Sequence, residues 1–120
     1  MTIRIKRVYD PPAPEDGKRF LVDRLWPRGK KKEDLRIESW IKDIAPSDEL
    51  RTWYGHDPEK WEVFKRRYFA ELDMLPEVWR PLVAQARRED ITLLFSSRET
   101  ALNNAAALKE YLENRLDNQG

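Results

Sequence analysis

Ile91-Thr92-Leu93-Leu94-Phe95-Ser96 is almost unbroken in its apolar character, the pattern of a strand covered on both faces. Helical patterns flank it. Upstream, Pro76 to Glu89 places Trp79, Leu82, Val83 and Ala86 on one side, with Pro81 expected to kink the helix or shorten it from the front. Downstream, Ser97-Arg98-Glu99 turns into a final helix with Thr100 as the expected N-cap. Its apolar side is Leu102, Ala105, Ala106, Leu108, Leu112 and Leu116, and the tail from Asp117 to Gly120 is expected to fray. Helix, buried strand and helix in that order is the signature of α/β layering. At 120 residues the chain is expected to form one domain, spanning 1–120, with a short central sheet and helices packed on it.

Working back towards the N-terminus, His56-Asp57-Pro58 opens the clearest helix. Asp57 suits the N-cap, Pro58 the first helical position, and Trp61, Phe64, Tyr68, Leu72 and Leu75 form one apolar stripe. Ser47 caps a short turn through Asp48, Glu49, Leu50 and Arg51, closed by Trp53-Tyr54-Gly55. Ile37, Trp40, Ile41 and Ile44 follow helical spacing, so a short helix is expected there, stopped at Ala45-Pro46. Lys30 to Asp34 is a polar turn or a single helical turn. A first strand runs from Ile3 to Val8, and the proline-rich stretch from Asp10 to Gly17 is an ordered loop.

Leu21-Val22-Asp23-Arg24-Leu25-Trp26-Pro27-Arg28-Gly29 is the second strand in this reading, and it breaks the local rules. Alternation sets Phe20, Val22, Arg24 and Trp26 on one face and Leu21, Asp23 and Leu25 on the other, so each face carries a charge among apolar groups. The connection from the first strand is short for a helical crossover and long for a tight hairpin, which leaves the strand direction open.

Ligands of open α/β sheets gather beyond the carboxyl ends of strands, where helix N-termini present free N–H groups. Ser96, Ser97, Arg98, Asn103 and Asn104 lie at or just after such an end, and their hydroxyl, guanidinium and amide groups suit an oxyanion or carboxylate. Arg24 and Arg28 reach the same end if the second strand is parallel to the buried one; the alternative for Arg24 is an ion pair with a carboxylate such as Asp10, Asp23 or Asp43. Asp23 is expected in an ion pair with a nearby arginine or lysine. Arg51 joins the proposed lining, and His56 is the candidate general base, since imidazole titrates nearest neutrality. Trp40, Trp53 and Tyr54 are either pocket wall or core. The expectation is a cleft for a small ligand bearing a phosphate or carboxylate, with enzyme or binding module left open.

Composition narrows the field. Hydrophobic residues make up 40% and charged residues 38%, with a net charge of only +1, so there is no bulk polybasic character. The runs Arg28 to Lys32 and Lys65 to Arg67 keep a nucleic-acid-binding or regulatory, protein-interaction module as the competing class. With no cysteine and one histidine, disulfides, thiol nucleophiles and a metal site are not expected, and no cofactor is implied. There is no P-loop, Rossmann glycine pattern, serine elbow or metalloprotease pair. No segment approaches a membrane span and no apolar leader opens the chain, so the expected address is cytoplasmic; oligomeric state is not legible.

The blocks VYDPP (8–12), DG (16–17), LVDRLWPRG (21–29), WIKDIAPSDELRTWYGHDPEKW (40–61) and TLLFSSRETALNNAAALKEYL (92–112) resemble the YeaO-like proteins, small bacterial members of domain-of-unknown-function family 488. The resemblance covers nearly the whole chain, with Asn103 and Asn104 at the family's asparagine pair. It implies an α/β fold and carries no established activity. Some members bear a transcriptional-regulator label, although Ser47–Arg51 is short for a DNA-reading helix. Larger relatives have a cysteine-bearing motif after the last strand; Ser96 and Ser97 stand there in this chain, so thiol chemistry is closed to it.

Overall fold

The computed structural model describes residues 2–118. Four strands, β1 (Ile3–Arg7), β2 (Lys18–Leu21), β3 (Ser39–Trp40) and β4 (Ile91–Phe95), form one parallel sheet in the order β1-β4-β2-β3. Five helices accompany them: α1 (Lys32–Leu35), α2 (Asp48–Tyr54), α3 (Trp61–Asp73), α4 (Pro76–Arg88) and α5 (Asn104–Asn118). The protein is α/β.

All five residues of β4 are buried, because β1 and β2 flank the strand and its two faces are both covered. Ile91, Leu93 and Phe95 point to the larger core, where Phe64, Tyr68 and Leu72 of α3 meet Trp79, Leu82, Val83 and Ala86 of α4 and Leu108 and Leu112 of α5. Leu94 points the other way, into a small cluster with Val8, Leu21 and Leu35 that Trp26, Ile37 and Trp40 close over. The polar ends of the large core side chains are satisfied: the Tyr68 hydroxyl donates to the Ile44 carbonyl at 2.7 Å and the Trp79 indole to the Leu72 carbonyl at 2.8 Å.

The connection from β1 to β2 resolves the open direction. Both strands are parallel to β4 and lie on opposite sides of it, so residues 8–17 cross the sheet without a helix. A short 3₁₀ turn (Pro14–Asp16) fastens this crossing to the second face. Asp16 is 3% exposed and accepts from Lys6 Nζ at 3.0 Å, from Arg19 Nη1 at 2.5 Å and from the Ala13 N–H at 3.0 Å, while Thr92 Oγ1 of β4 donates to its carbonyl. Burial alone would raise the Asp16 carboxyl; the Ala13 N–H, Lys6 and Arg19 outweigh it and hold it below the usual carboxylate range.

Several expectations are corrected. Of the stretch 21–29 only Leu21 belongs to β2, which begins at Lys18; Val22 still donates to the Leu94 carbonyl, and the chain then leaves the sheet as Asp23 and Arg24 turn to polar partners. Ile37 to Ile44 is not a helix. Glu38 and Ile41 donate to the Arg19 and Leu21 carbonyls on the open edge of β2, leaving β3 and a 3₁₀ turn (Lys42–Ile44). The apolar spacing there serves two clusters: Ile37 and Trp40 pack on the second face, Ile41 and Ile44 on the larger core. Pro81 sits inside α4 without shortening it from the front, since the helix starts at Pro76. Thr100 is not the cap of the last helix: the Glu99 carboxylate takes the Ala101 and Leu102 N–H groups, and α5 begins later, with Asn103 Oδ1 accepting from the Ala106 N–H at 2.8 Å. Ala107 and Tyr111 join its buried side, while Ala106 is only half-buried. Asp117 and Asn118 are helical; Gln119 and Gly120, the rest of the expected frayed tail, lie outside the described residues. Among the described residues no helix is long and apolar enough to cross a membrane.

Candidate functional site

Parallel strands put all their carboxyl ends on one edge, and that edge opens into a cleft of about 820 Å³. Tyr9 follows β1; Asp23, Arg24, Leu25, Trp26, Pro27 and Arg28 follow β2; Ser96, Ser97, Arg98 and Glu99 follow β4. The far wall comes from α2 and the turn after it, through Arg51, Thr52, Tyr54 and His56, and from the start of α5, through Asn103 and Asn104. All nine polar residues singled out from the sequence, Arg24, Arg28, Arg51, His56, Ser96, Ser97, Arg98, Asn103 and Asn104, line this one cleft. Tyr54 lines it as well; Trp40 and Trp53 do not.

Asp23 ties the site together. One carboxylate oxygen accepts from both the backbone N–H and the hydroxyl of Ser96, each at 2.8 Å, and the other accepts from Asn104 Nδ2 at 3.2 Å. This corrects the expected ion pair: the acid is met by neutral donors, which pin the end of β2 to the end of β4 and the start of α5. Trp40 Nε1 holds the Asp23 carbonyl at 2.7 Å, fixing the loop from the sheet edge.

The arginines divide into two pairs. Arg24 Nη2 donates to the Ala45 carbonyl at 3.1 Å and lies 3.5 Å from that of Pro46, and the ion pair with a carboxylate is made to Asp48 rather than to Asp10, Asp23 or Asp43. Its Nε is buried without a hydrogen-bond acceptor and stands 3.8 Å from Asp48 Oδ1, the oxygen that Arg51 Nη2 holds at 2.9 Å. Arg28 and Arg98 are exposed on the cleft, and neither guanidinium has a hydrogen bond or ion pair among the described residues. Four arginines therefore line a space whose only lining carboxylates among the described residues are Asp23 and Glu99, with Asp48 pairing Arg51 and Arg24 from outside it. Glu99 is already engaged: the Ala101 and Leu102 N–H groups lower its carboxyl, and His56 adds to the effect.

Other residues are structural in part. Asn103 is 2% exposed and caps α5 with Oδ1 while its Nδ2 donates to the Glu99 carbonyl at 2.8 Å. Ser97 Oγ accepts from the Glu99 N–H. His56 holds a left-handed backbone, φ 58°, after Gly55 at φ 52°, and its exposed ring lies 6.0 Å from that of Tyr54. Burial raises the Tyr54 phenol, with Glu99 and Asp57 adding to it, and its hydroxyl donates to the Leu102 carbonyl at 2.8 Å. Tyr9, Glu99 and Phe64 were missed from the sequence. Tyr9 had a usable signal, a tyrosine directly past the end of a strand; Phe64 had none, being one member of a helical stripe. Of the basic runs, Arg28 enters the cleft, Lys65 is held by Glu62 and Glu110, and the Arg67 guanidinium lies 4.4 Å from the Trp53 ring centre.

Over residues 2–120 the chain matches the family described as the inactive DUF488-N3 subclade. It belongs to that family. The sequence resemblance to YeaO-like proteins holds in the same terms: the chain is 43% identical over 112 residues to the uncharacterised protein YeaO of Escherichia coli, covering 93% of this chain and 97% of that one. An uncharacterised protein of Mycobacterium tuberculosis is likewise 43% identical over 116 residues, covering 94% of this chain and 95% of its own. No solved structure matches the chain at a significant level.

Proposed function

We propose that the cleft binds a small ligand bearing a phosphate or carboxylate group, and that this member of the family acts by binding its ligand. The reading is carried by Arg28 and Arg98, two guanidinium groups on one cleft with no anionic partner among the described residues. Arg24 adds positive charge to the same wall, held in place by the Ala45 carbonyl with Asp48 3.8 Å from its buried Nε. Guanidinium forks suit planar or tetrahedral oxyanions, and charge-assisted bonds of this kind are about twice as strong as neutral ones.

Binding without turnover is supported by the arrangement of the reactive groups. The Ser97 hydroxyl accepts a backbone N–H, and the carboxylate that the Ser96 hydroxyl meets, Asp23, is shared with the Ser96 N–H and Asn104, a clamp between strand ends with no histidine hydrogen-bonded to either serine among the described residues. His56 has no acid or hydroxyl hydrogen-bonded to its ring among the described residues. The subclade's description as inactive points the same way.

Titration calorimetry at low salt with phosphate, sulfate and citrate tests the reading. Saturable binding is expected for at least one of them, weakened about tenfold or more by Arg98→Ala, the loss of one charge-assisted contact. The absence of saturable heat with every anion up to about 10 mM would overturn it.

A further inference from the structure

Only three large apolar side chains are exposed among the described residues, and two of them, Tyr9 at 41% and Leu25 at 67%, line the cleft. The third, Met74, lies at the end of α3. Single exposed apolar residues are ordinary, but these two flank the arginines and are held in place. The Tyr9 hydroxyl donates to the Arg28 carbonyl at 3.1 Å, and Arg7 and Lys30 lie 5.0 and 5.6 Å from its ring centre, which together hold the ring beside the loop that carries Leu25. That loop is pinned before Leu25 by Asp23 on Ser96 and after it by Trp26 Nε1 on the Lys30 carbonyl at 2.7 Å. Leu25 is therefore presented to solvent by a fixed loop.

An inorganic anion leaves Leu25 unexplained and fills little of 820 Å³, a volume suited to a whole small organic ligand. A polar feature narrows its chemistry. Asn104 Nδ2 is turned to Asp23 and the Val22 carbonyl, leaving Oδ1 on the cleft without a donor among the described residues. A free amide acceptor suits an amine, a ring N–H or a hydroxyl and gives nothing to an alkyl chain.

We infer that the ligand is a phosphorylated molecule with a flat, nitrogen-bearing ring, of the nucleoside monophosphate class. Its phosphoryl group meets Arg28 and Arg98, and its ring packs over Leu25 beside Tyr9 with an amine towards Asn104 Oδ1. This rests on the anion-binding reading above.

The experiment is calorimetry on the full chain with AMP, ribose 5-phosphate and octyl phosphate, three ligands that each carry one phosphoryl group. AMP is expected to bind at least about tenfold more tightly than ribose 5-phosphate, the factor that covering a leucine-sized apolar surface supplies. Leu25→Ser, at an exposed position, is expected to remove that advantage and leave ribose 5-phosphate unchanged. Equal affinity for AMP and ribose 5-phosphate overturns this inference and leaves the anion reading standing. Octyl phosphate matching AMP also overturns it, since an alkyl chain then suffices. Silence from all three overturns this inference, and silence from inorganic phosphate, sulfate and citrate as well overturns both readings.

Discussion

Replacing Asp16 with alanine is expected to be among the costliest single changes in this protein. The carboxylate is 3% exposed, and Arg19, its closest partner, is 5% exposed with Nη2 already lacking an acceptor. Removing the acid leaves a guanidinium buried with only the Leu35 carbonyl on its Nε. Uncompensated buried charges of this kind cost about 3–5 kcal/mol, and the lower end applies because Lys6, the other partner, is 20% exposed and can turn to water. At roughly 4 °C per kcal/mol for a domain of this size, the melting temperature should fall by about 12 °C. The pH dependence follows from the lowered carboxyl. A depressed folded-state value contributes stability that is complete above the unfolded value, about 3.9, and is lost as pH falls through the folded one. The gap between wild type and Asp16→Ala should thus be full at neutral pH and shrink below about pH 4. Adding Arg19→Met to Asp16→Ala should recover stability, because replacing both partners removes the stranded charge. Urea denaturation at several pH values measures all three. A loss below about 1 kcal/mol at pH 7, or a gap unchanged on acidification, would refute the reasoning, since exposed pairs behave that way.

Three further changes probe the scaffold. Gly17 has φ +63°, and a Cβ there would sit 2.0 Å from the Asp90 carbonyl oxygen, so Gly17→Ala should lower soluble yield and cost about 3 kcal/mol by thermal melting. Gly29, at φ +76° with nothing within 4 Å of a Cβ, is the matched control, and Gly29→Ala should cost only about 1 kcal/mol. Asn103→Ala should cost about 1 kcal/mol through loss of the α5 cap, read by thermal melting; an unchanged melting temperature would mean that water caps the helix equally well.

The sequence was most informative where one surface decides the pattern. The stripe of α3, the buried side of α4 and the continuous apolar run of β4 each answer to a single environment, and their residues read correctly. It misled where two environments share a segment, as at 37–44, whose apolar residues are divided between two clusters by an edge pairing that no local signal announces. It misled again at Thr100, a good cap displaced because Glu99, one residue earlier, satisfies the N–H groups beyond it. The lining of the cleft was legible as strand ends followed by polar groups. Whether the ends of β2 and β4 lie together was not, because strand direction is set by a crossing whose anchors, Lys6, Asp16, Arg19 and Thr92, are scattered along the chain. Asp23 shows the same limit from the other side: its charge called for a cation, and the fold supplied Ser96 and Asn104, more than seventy residues away.

The strand order has a consequence for how the protein comes into being. β1 and β2 never pair with each other; each is hydrogen-bonded to β4, which is synthesised last. Until residues 91–95 have left the ribosome, β1 has no neighbour at all, and β2 has only the two residues of β3. The nascent chain must therefore carry its first strands unpaired through most of its synthesis, the circumstance in which exposed edges and apolar faces aggregate. Insertion of β4 then joins β1 to β2, and the segment directly after it, through Asn104, supplies the remaining wall of the cleft, so a shortened chain that ends before residue 91 lacks both.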